Sequence, residues 1–125
     1  MNAIHEYKQL LKNRGIRLCD VYGVSEFELG DIALEQADAL AAVEILRKTS
    51  VPILGGDVYF RLRNGEIEFA YANWDSVSIS GIPESEEERQ HCANLSYLET
   101  EDYIKGFPMS DATPLFVLVV SRDFL

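Results

Sequence analysis

From Val58 to Tyr71, apolar and polar residues alternate on both sides of an Asn64-Gly65 pair, the pattern of two strands joined by a tight turn. Asn-Gly favours a two-residue type I′ turn, because both of its central residues take positive φ. Closing that turn pairs Arg63 with Glu66, Leu62 with Ile67, Arg61 with Glu68, Phe60 with Phe69, Tyr59 with Ala70 and Val58 with Tyr71. This register predicts a core face made of Val58, Phe60, Leu62, Ile67, Phe69 and Tyr71. The other face carries two cross-strand pairs of opposite charge near the turn and, further down, Asp57, Tyr59 and Trp74. Trp74 falls opposite Gly55, where a large ring can cover a strand glycine.

The rest of the chain follows less regular patterns. Asn2 caps a predicted helix in which Ile4, Tyr7, Leu10 and Leu11 make one stripe, and Gly15 is placed to end it in a left-handed conformation. Ile16 to Gly30 alternates only in part and holds two glycines, so it reads as a loop with a short strand. Asp31 caps a second helix reaching Lys48, apolar almost all round, with Arg47 and Lys48 in its last turn. Val51 to Leu54 reads as strand and Gly55-Gly56 as a bulge or kink. Ser76 to Gly81 alternates weakly, as an extension of the sheet. Pro83 precedes Ser85, which with Glu88 makes a capping-box start to a third helix running towards Gly106. Its apolar phase slips near Glu99-Thr100, which admits one helix or two shorter ones. After Pro114, Leu115 to Val120 is a continuous apolar run, as in a strand buried on both sides. The order α-α-β-β-α-β predicts an α+β fold with helices packed on a mainly antiparallel sheet, as a single domain over residues 1–125.

Charge narrows the class of partner. Eleven basic residues stand against 21 acidic ones, a formal −10, which disfavours nucleic acid and anionic membranes as ligands and suits a basic partner. No apolar run has the length of a membrane helix, and the N-terminus reads as an amphipathic helix rather than a secretion signal, so a cytoplasmic location is expected. Cys19 and Cys92 are expected to be reduced there. Half of the net charge lies between Pro83 and Gly106, where Glu84, Glu86, Glu87, Glu88, Glu99, Glu101 and Asp102 face only Arg89 and Lys105. Acids in a first helical turn complement the helix dipole, which is reason enough for the first four. The same acids can steer a basic protein.

Two surfaces are therefore candidates for partner binding: Asp57, Tyr59 and Trp74 with the adjoining Asp75, and the helix start Glu84, Glu86, Glu87 and Glu88. Catalysis finds little support. His5 and His91 have no partner motif, Cys19 and Cys92 lack metal-ligand spacing, and no nucleophile elbow, phosphate loop or dinucleotide fingerprint is present. No enzyme, metal or cofactor is expected. The alternative reading is a small enzyme or ligand-binding domain with a pocket near Gly55-Gly56 and Tyr59, and an accessory subunit of a larger complex is a third.

The string Val51-Pro52-Ile53-Leu54-Gly55-Gly56-Asp57-Val58-Tyr59, with Asn73-Trp74 at the far end of the hairpin, resembles the immunity protein 40 family of bacterial polymorphic toxin systems. Gly23-Val24 with Glu26, Tyr103-Ile104 and Leu115-Phe116-Val117 are similar to other parts of that family, and the resemblance spans roughly residues 20 to 120. Asp75 departs from it, standing where a further aromatic is expected. The resemblance implies a small, cytosolic, non-enzymatic protein that binds a cognate toxin domain and blocks it. It brings no contact residues with it, so the candidate sites rest on the physical reading alone.

Overall fold

The structure is a computed structural model that describes residues 2–18, 32–76 and 85–120. Helix α1 (Ala3–Arg14) leads into a two-residue strand β1 (Ile16–Arg17). Strand β2 (Ile32–Glu35) precedes α2 (Gln36–Leu46), the hairpin β3 (Ile53–Arg61) and β4 (Ile67–Asp75), α3 (Glu86–Gly106) and β5 (Thr113–Val120). The strands form one sheet in the order β1-β2-β5-β3-β4, with every neighbouring pair antiparallel. The fold is thus α+β, as expected, with two short strands added to the predicted order. Among the described residues, no helix is long and apolar enough to cross a membrane.

The main core lies between one sheet face and the three helices. Tyr7 of α1, Ala42, Val43 and Leu46 of α2, and Ala93, Tyr97 and Ile104 of α3 pack there against Leu34, Ile53, Val58, Trp74, Phe116 and Leu118. A smaller cluster on the opposite, outer face joins Leu18, Ala33, Ile67, Leu115 and Val117. β5 is central, which explains its unbroken apolar run: Phe116 and Leu118 point to the helices, Leu115 and Val117 to the outer face.

Helix ends show where sequence reasoning held. Asn2 accepts a hydrogen bond from the His5 N–H (2.8 Å) and Ser85 from the Glu88 N–H (3.1 Å), as N-caps do. Gly15, by contrast, is extended rather than left-handed (φ −78°), because the chain passes straight into β1. A glycine is needed there for space, since a Cβ would lie 2.1 Å from Ile32 and 2.4 Å from the Leu11 carbonyl. Helix α2 starts at Gln36, not after Asp31, because Ala33 to Glu35 pair with β5. Arg47 lies just past its end, and its guanidinium bonds Glu44 (2.9 Å) and Glu101 instead of the last carbonyls. Asp31, Cys19, Pro83, Glu84 and residues 77–81 lie outside the described residues.

Helix α3 is continuous through Glu99-Thr100. Its buried stripe is Ala93, Ser96, Tyr97, Thr100 and Ile104, a regular helical spacing in which two hydroxyls replace apolar side chains. Both hydroxyls are tied. Ser96 accepts from the Ile53 N–H (3.0 Å) and donates to the Ala93 carbonyl (2.6 Å), while Thr100 accepts from the Trp74 indole N–H (3.1 Å). These bonds replace the water that burial removes, so neither hydroxyl is left unsatisfied inside the core.

The hairpin register differs from the expected one. The Leu62 N–H bonds the Glu66 carbonyl (2.7 Å) and the Gly65 N–H bonds the Leu62 carbonyl (2.9 Å), the pattern of a three-residue loop. Gly65 alone takes positive φ (+88°); Asn64 does not, and its side chain accepts from the Glu66 N–H (3.0 Å). The extra loop residue shifts the pairing by one, to Arg61 with Ile67, Phe60 with Glu68 and Tyr59 with Phe69. A one-residue shift turns every side chain of β4 over. Val58 and Phe60 do face the helices, but Ile67, Phe69 and Tyr71 lie on the outer face. The expected cross-strand ion pairs are not made: Arg61 bonds Glu35, and Arg63 lies 3.4 Å from Asp111.

Candidate partner-binding surfaces

The changed register divides the first candidate surface. Asp57, Tyr59 and Asp75 lie on the outer face, whereas Trp74 points inward and is only 7% exposed. It stacks on Tyr103 of α3 (ring centroids 4.7 Å) and meets Phe116 edge-on (6.4 Å). Its cross-strand partner is Gly56 rather than Gly55, and a Cβ on Gly56 would sit 2.2 Å from the indole ring. Gly55 has a different duty. It stands at φ +151° where the β3–β5 register shifts, and a side chain there would strike the Trp74 carbonyl at 2.2 Å. The pair is thus the predicted bulge, with each glycine required by a separate contact.

What the outer face presents in place of Trp74 is a row of three rings, two of which, Phe69 and Tyr71, sequence reasoning had assigned to the core. Tyr59 and Phe69 are 5.3 Å apart, and Phe69 and Tyr71 5.0 Å. The row exists because β4 carries two extra residues, Ala70 and Tyr71, between its pairings with Tyr59 and Val58. Tyr71 holds a left-handed backbone (φ +55°) and is 88% exposed. A left-handed conformation costs a bulky residue about 1–3 kcal/mol, and no burial of this ring offsets it. Next to the row, the bare backbone of Gly55 leaves a depression of about 270 Å³ bordered by Asp57, Asn73, Asp75, Leu54 and Val119. It is smaller than the ~300–1,000 Å³ typical of small-molecule pockets.

The second candidate surface is the first turn of α3. Glu86, Glu87 and Glu88 are exposed there, and Glu86 and Glu87 border a hollow with Ser50, Arg89 and Gln90. Glu99 and Glu101 of the predicted acidic segment are engaged elsewhere. Glu101 bonds Lys105 (2.7 Å) and Arg47, and these cations, Lys105 first, hold its carboxyl below the usual range. The Ser76 hydroxyl lies 3.4 Å from Glu99.

Elsewhere Arg14 pairs with Asp38 (3.2 Å), Lys48 with Glu6 (3.4 Å) and Arg63 with Asp111 (3.4 Å). Among the described residues, neighbouring acids stand together at the exposed start of α3, and Asp57 and Asp75 lie close together at one end of the hairpin. Among the described residues, no three His, Cys, Asp or Glu side chains converge as a metal site would need.

No curated protein and no solved structure matches the chain significantly. The family model described as immunity protein 40 matches residues 22–120, which takes in β2, α2, the hairpin, α3 and β5. The match covers most of the chain and includes both glycines, the Trp74 that Gly56 accommodates and the buried stripe of α3 that receives it, so the chain belongs to the immunity protein 40 family.

Proposed function

We propose that this protein neutralises a cognate toxin domain of a bacterial polymorphic toxin system, in the cytoplasm, by stoichiometric binding and without catalysis. The family match over residues 22–120 carries this reading. The charge supports it: a formal −10, with Glu86, Glu87 and Glu88 exposed side by side at the start of α3, suits a basic toxin domain that must be captured quickly. The test is to capture partners from lysate of the native organism with tagged protein, express the captured toxin domain alone and with this chain, and weigh the complex by light scattering. Rescue of growth together with a one-to-one complex is the expected outcome. A toxin domain that this chain neither binds nor inhibits would remove the reading.

The acidic start of α3 has its own test. Reversing Glu86, Glu87 and Glu88 to lysine is expected to slow association with the toxin domain by about tenfold or more at low salt, and to flatten the dependence of that rate on salt. Stopped-flow fluorescence across a salt series measures both. An unchanged association rate would leave these acids as partners of the helix dipole only.

A further inference from the structure

We infer that the outer face of the β3–β4 hairpin is the docking surface for the toxin domain, and that it receives an arginine- or lysine-bearing segment of that partner. The inference rests on the neutralisation reading above and deepens it by naming the face and the chemistry it takes. Three observations carry it. Tyr59, Phe69 and Tyr71 form a continuous ring row, and its outermost member is almost fully exposed on a backbone conformation that tyrosine disfavours. The row runs into a depression where the exposed Asp75 carboxylate stands, with Asp57 beside it and no lysine or arginine among the described residues lining it. The two basic residues nearest the turn of the same hairpin are already engaged, Arg61 by Glu35 and Arg63 by Asp111.

An aromatic ring beside a carboxylate matches a guanidinium, whose plane stacks on the ring while its N–H fork meets the acid. Lysine satisfies the same pair less fully, as a point charge. A second copy of this chain is a poor occupant, because it would bring the same carboxylates face to face on molecules that each carry a formal −10. The bulge gives the row a further property. Two unpaired residues in the middle of an edge strand interrupt its ladder, so the partner meets side chains here rather than adding a strand.

The test uses the full chain and the toxin domain identified by co-expression, with Tyr71→Gly and Asp75→Asn as variants. Glycine adopts φ +55° freely, so Tyr71→Gly is expected to keep or raise the melting temperature while weakening affinity about 30-fold or more, as loss of a hot-spot tyrosine does. Asp75→Asn, at an exposed position, is expected to weaken affinity about fivefold and to reduce its salt dependence. Isothermal titration and sedimentation velocity are run on all three proteins. If the wild type binds and both variants bind within about twofold of it, the docking face lies elsewhere and the inference falls while the neutralisation reading stands. If Tyr71→Gly instead converts a wild-type dimer to monomer at unchanged toxin affinity, a second copy occupies the row and the inference is overturned. A wild type that fails to bind ends both.

Discussion

Replacing Trp74 with alanine is expected to lower the unfolding free energy by about 3–5 kcal/mol, enough to leave a marginally stable domain largely unfolded at 37 °C. Three roles of the indole account for the size of the effect. The ring is the plate between the hairpin and α3, stacked on Tyr103 and edge-on to Phe116. Its N–H is the donor to the buried Thr100 hydroxyl, which alanine leaves without that partner. It also fills the space that Gly56 opens between β3 and α3, and a cavity there cannot close, since the sheet pairs Gly56 on both sides, with Trp74 and Leu118. Trp74→Phe keeps a ring but not the N–H, so a cost of about 1–3 kcal/mol is expected from the unpaired hydroxyl and the smaller plate. Urea unfolding followed by far-ultraviolet circular dichroism measures both, and a midpoint for Trp74→Ala close to that of the wild type would show that the plate is not needed. One consequence bears on function. Loss of toxin binding in Trp74→Ala would report on folding, so the interface has to be probed from Tyr71, Asp75 and the α3 acids.

The fold class and most elements were legible because they rest on long, strong patterns: the stripe of α1, the apolar body of α2, the unbroken run of β5 and the Gly65-centred hairpin. Failures arose where local chemistry allowed two solutions. Asn64-Gly65 suits a two-residue turn, yet Asn64 can equally bond the Glu66 N–H and let Gly65 alone take the left-handed position. That choice moves the register by one residue and decides which side of β4 meets the helices. The sequence did contain a signal against the first solution. Ala70, Ala72 and Trp74 share one parity, small side chains where a helix can approach closely and a large one above a glycine. Phe69, Tyr71 and Asn73 share the other. The buried hydroxyls of α3 misled for a related reason. Ser96 and Thr100 look like exposed positions until the Ile53 amide and the Trp74 indole are brought to them from distant parts of the chain.

The candidate sites were legible to an unequal degree. A charge surplus at a helix start can be read from composition, and Glu86, Glu87 and Glu88 are exposed as that reading requires. A surface made by a sheet face cannot be read until the register is known. Asp57 and Tyr59 do share a face, but their third member is Tyr71 at the end of a ring row, not Trp74. The bulge that presents Tyr71 has no sequence signature, because a non-glycine residue at positive φ is set by its surroundings and not by its own preference. Asp75, which departs from the aromatic expected by family resemblance, is the residue that puts a second carboxylate beside that row.

Raising the pH from 10 to 12 is expected to remove about 2 kcal/mol of stability through Tyr7, the main source of the loss. Tyr7 is 3% exposed, and burial pushes its phenol up from 10.0 to about 12. The native state therefore holds this proton more tightly than the unfolded chain does. The contribution is fully present below pH 10 and is lost as the pH passes through about 12, because the unfolded phenol ionises first. Two units correspond to about 3 kcal/mol in all at ~1.36 kcal/mol each, the last part of it lost above pH 12. Tyr97 and Tyr103 are shifted upward as well, both chiefly by burial, and steepen the same decline. Tyr7→Phe is expected to flatten the loss between pH 10 and 12 and leave the smaller slope from those two, as read by urea titrations at stepped pH. An identical loss in Tyr7→Phe would move the source to α3. The outcome also decides a question about the boundary of the domain. Tyr7 belongs to α1, which precedes the matched span at residues 22–120, yet its ring is part of the same core as Val43, Tyr97 and Phe116. If ionising one side chain of α1 unfolds the whole chain in a single transition, the helix is integral to the sheet that carries the docking face, and a chain trimmed to the family span would lose its fold along with its first helix.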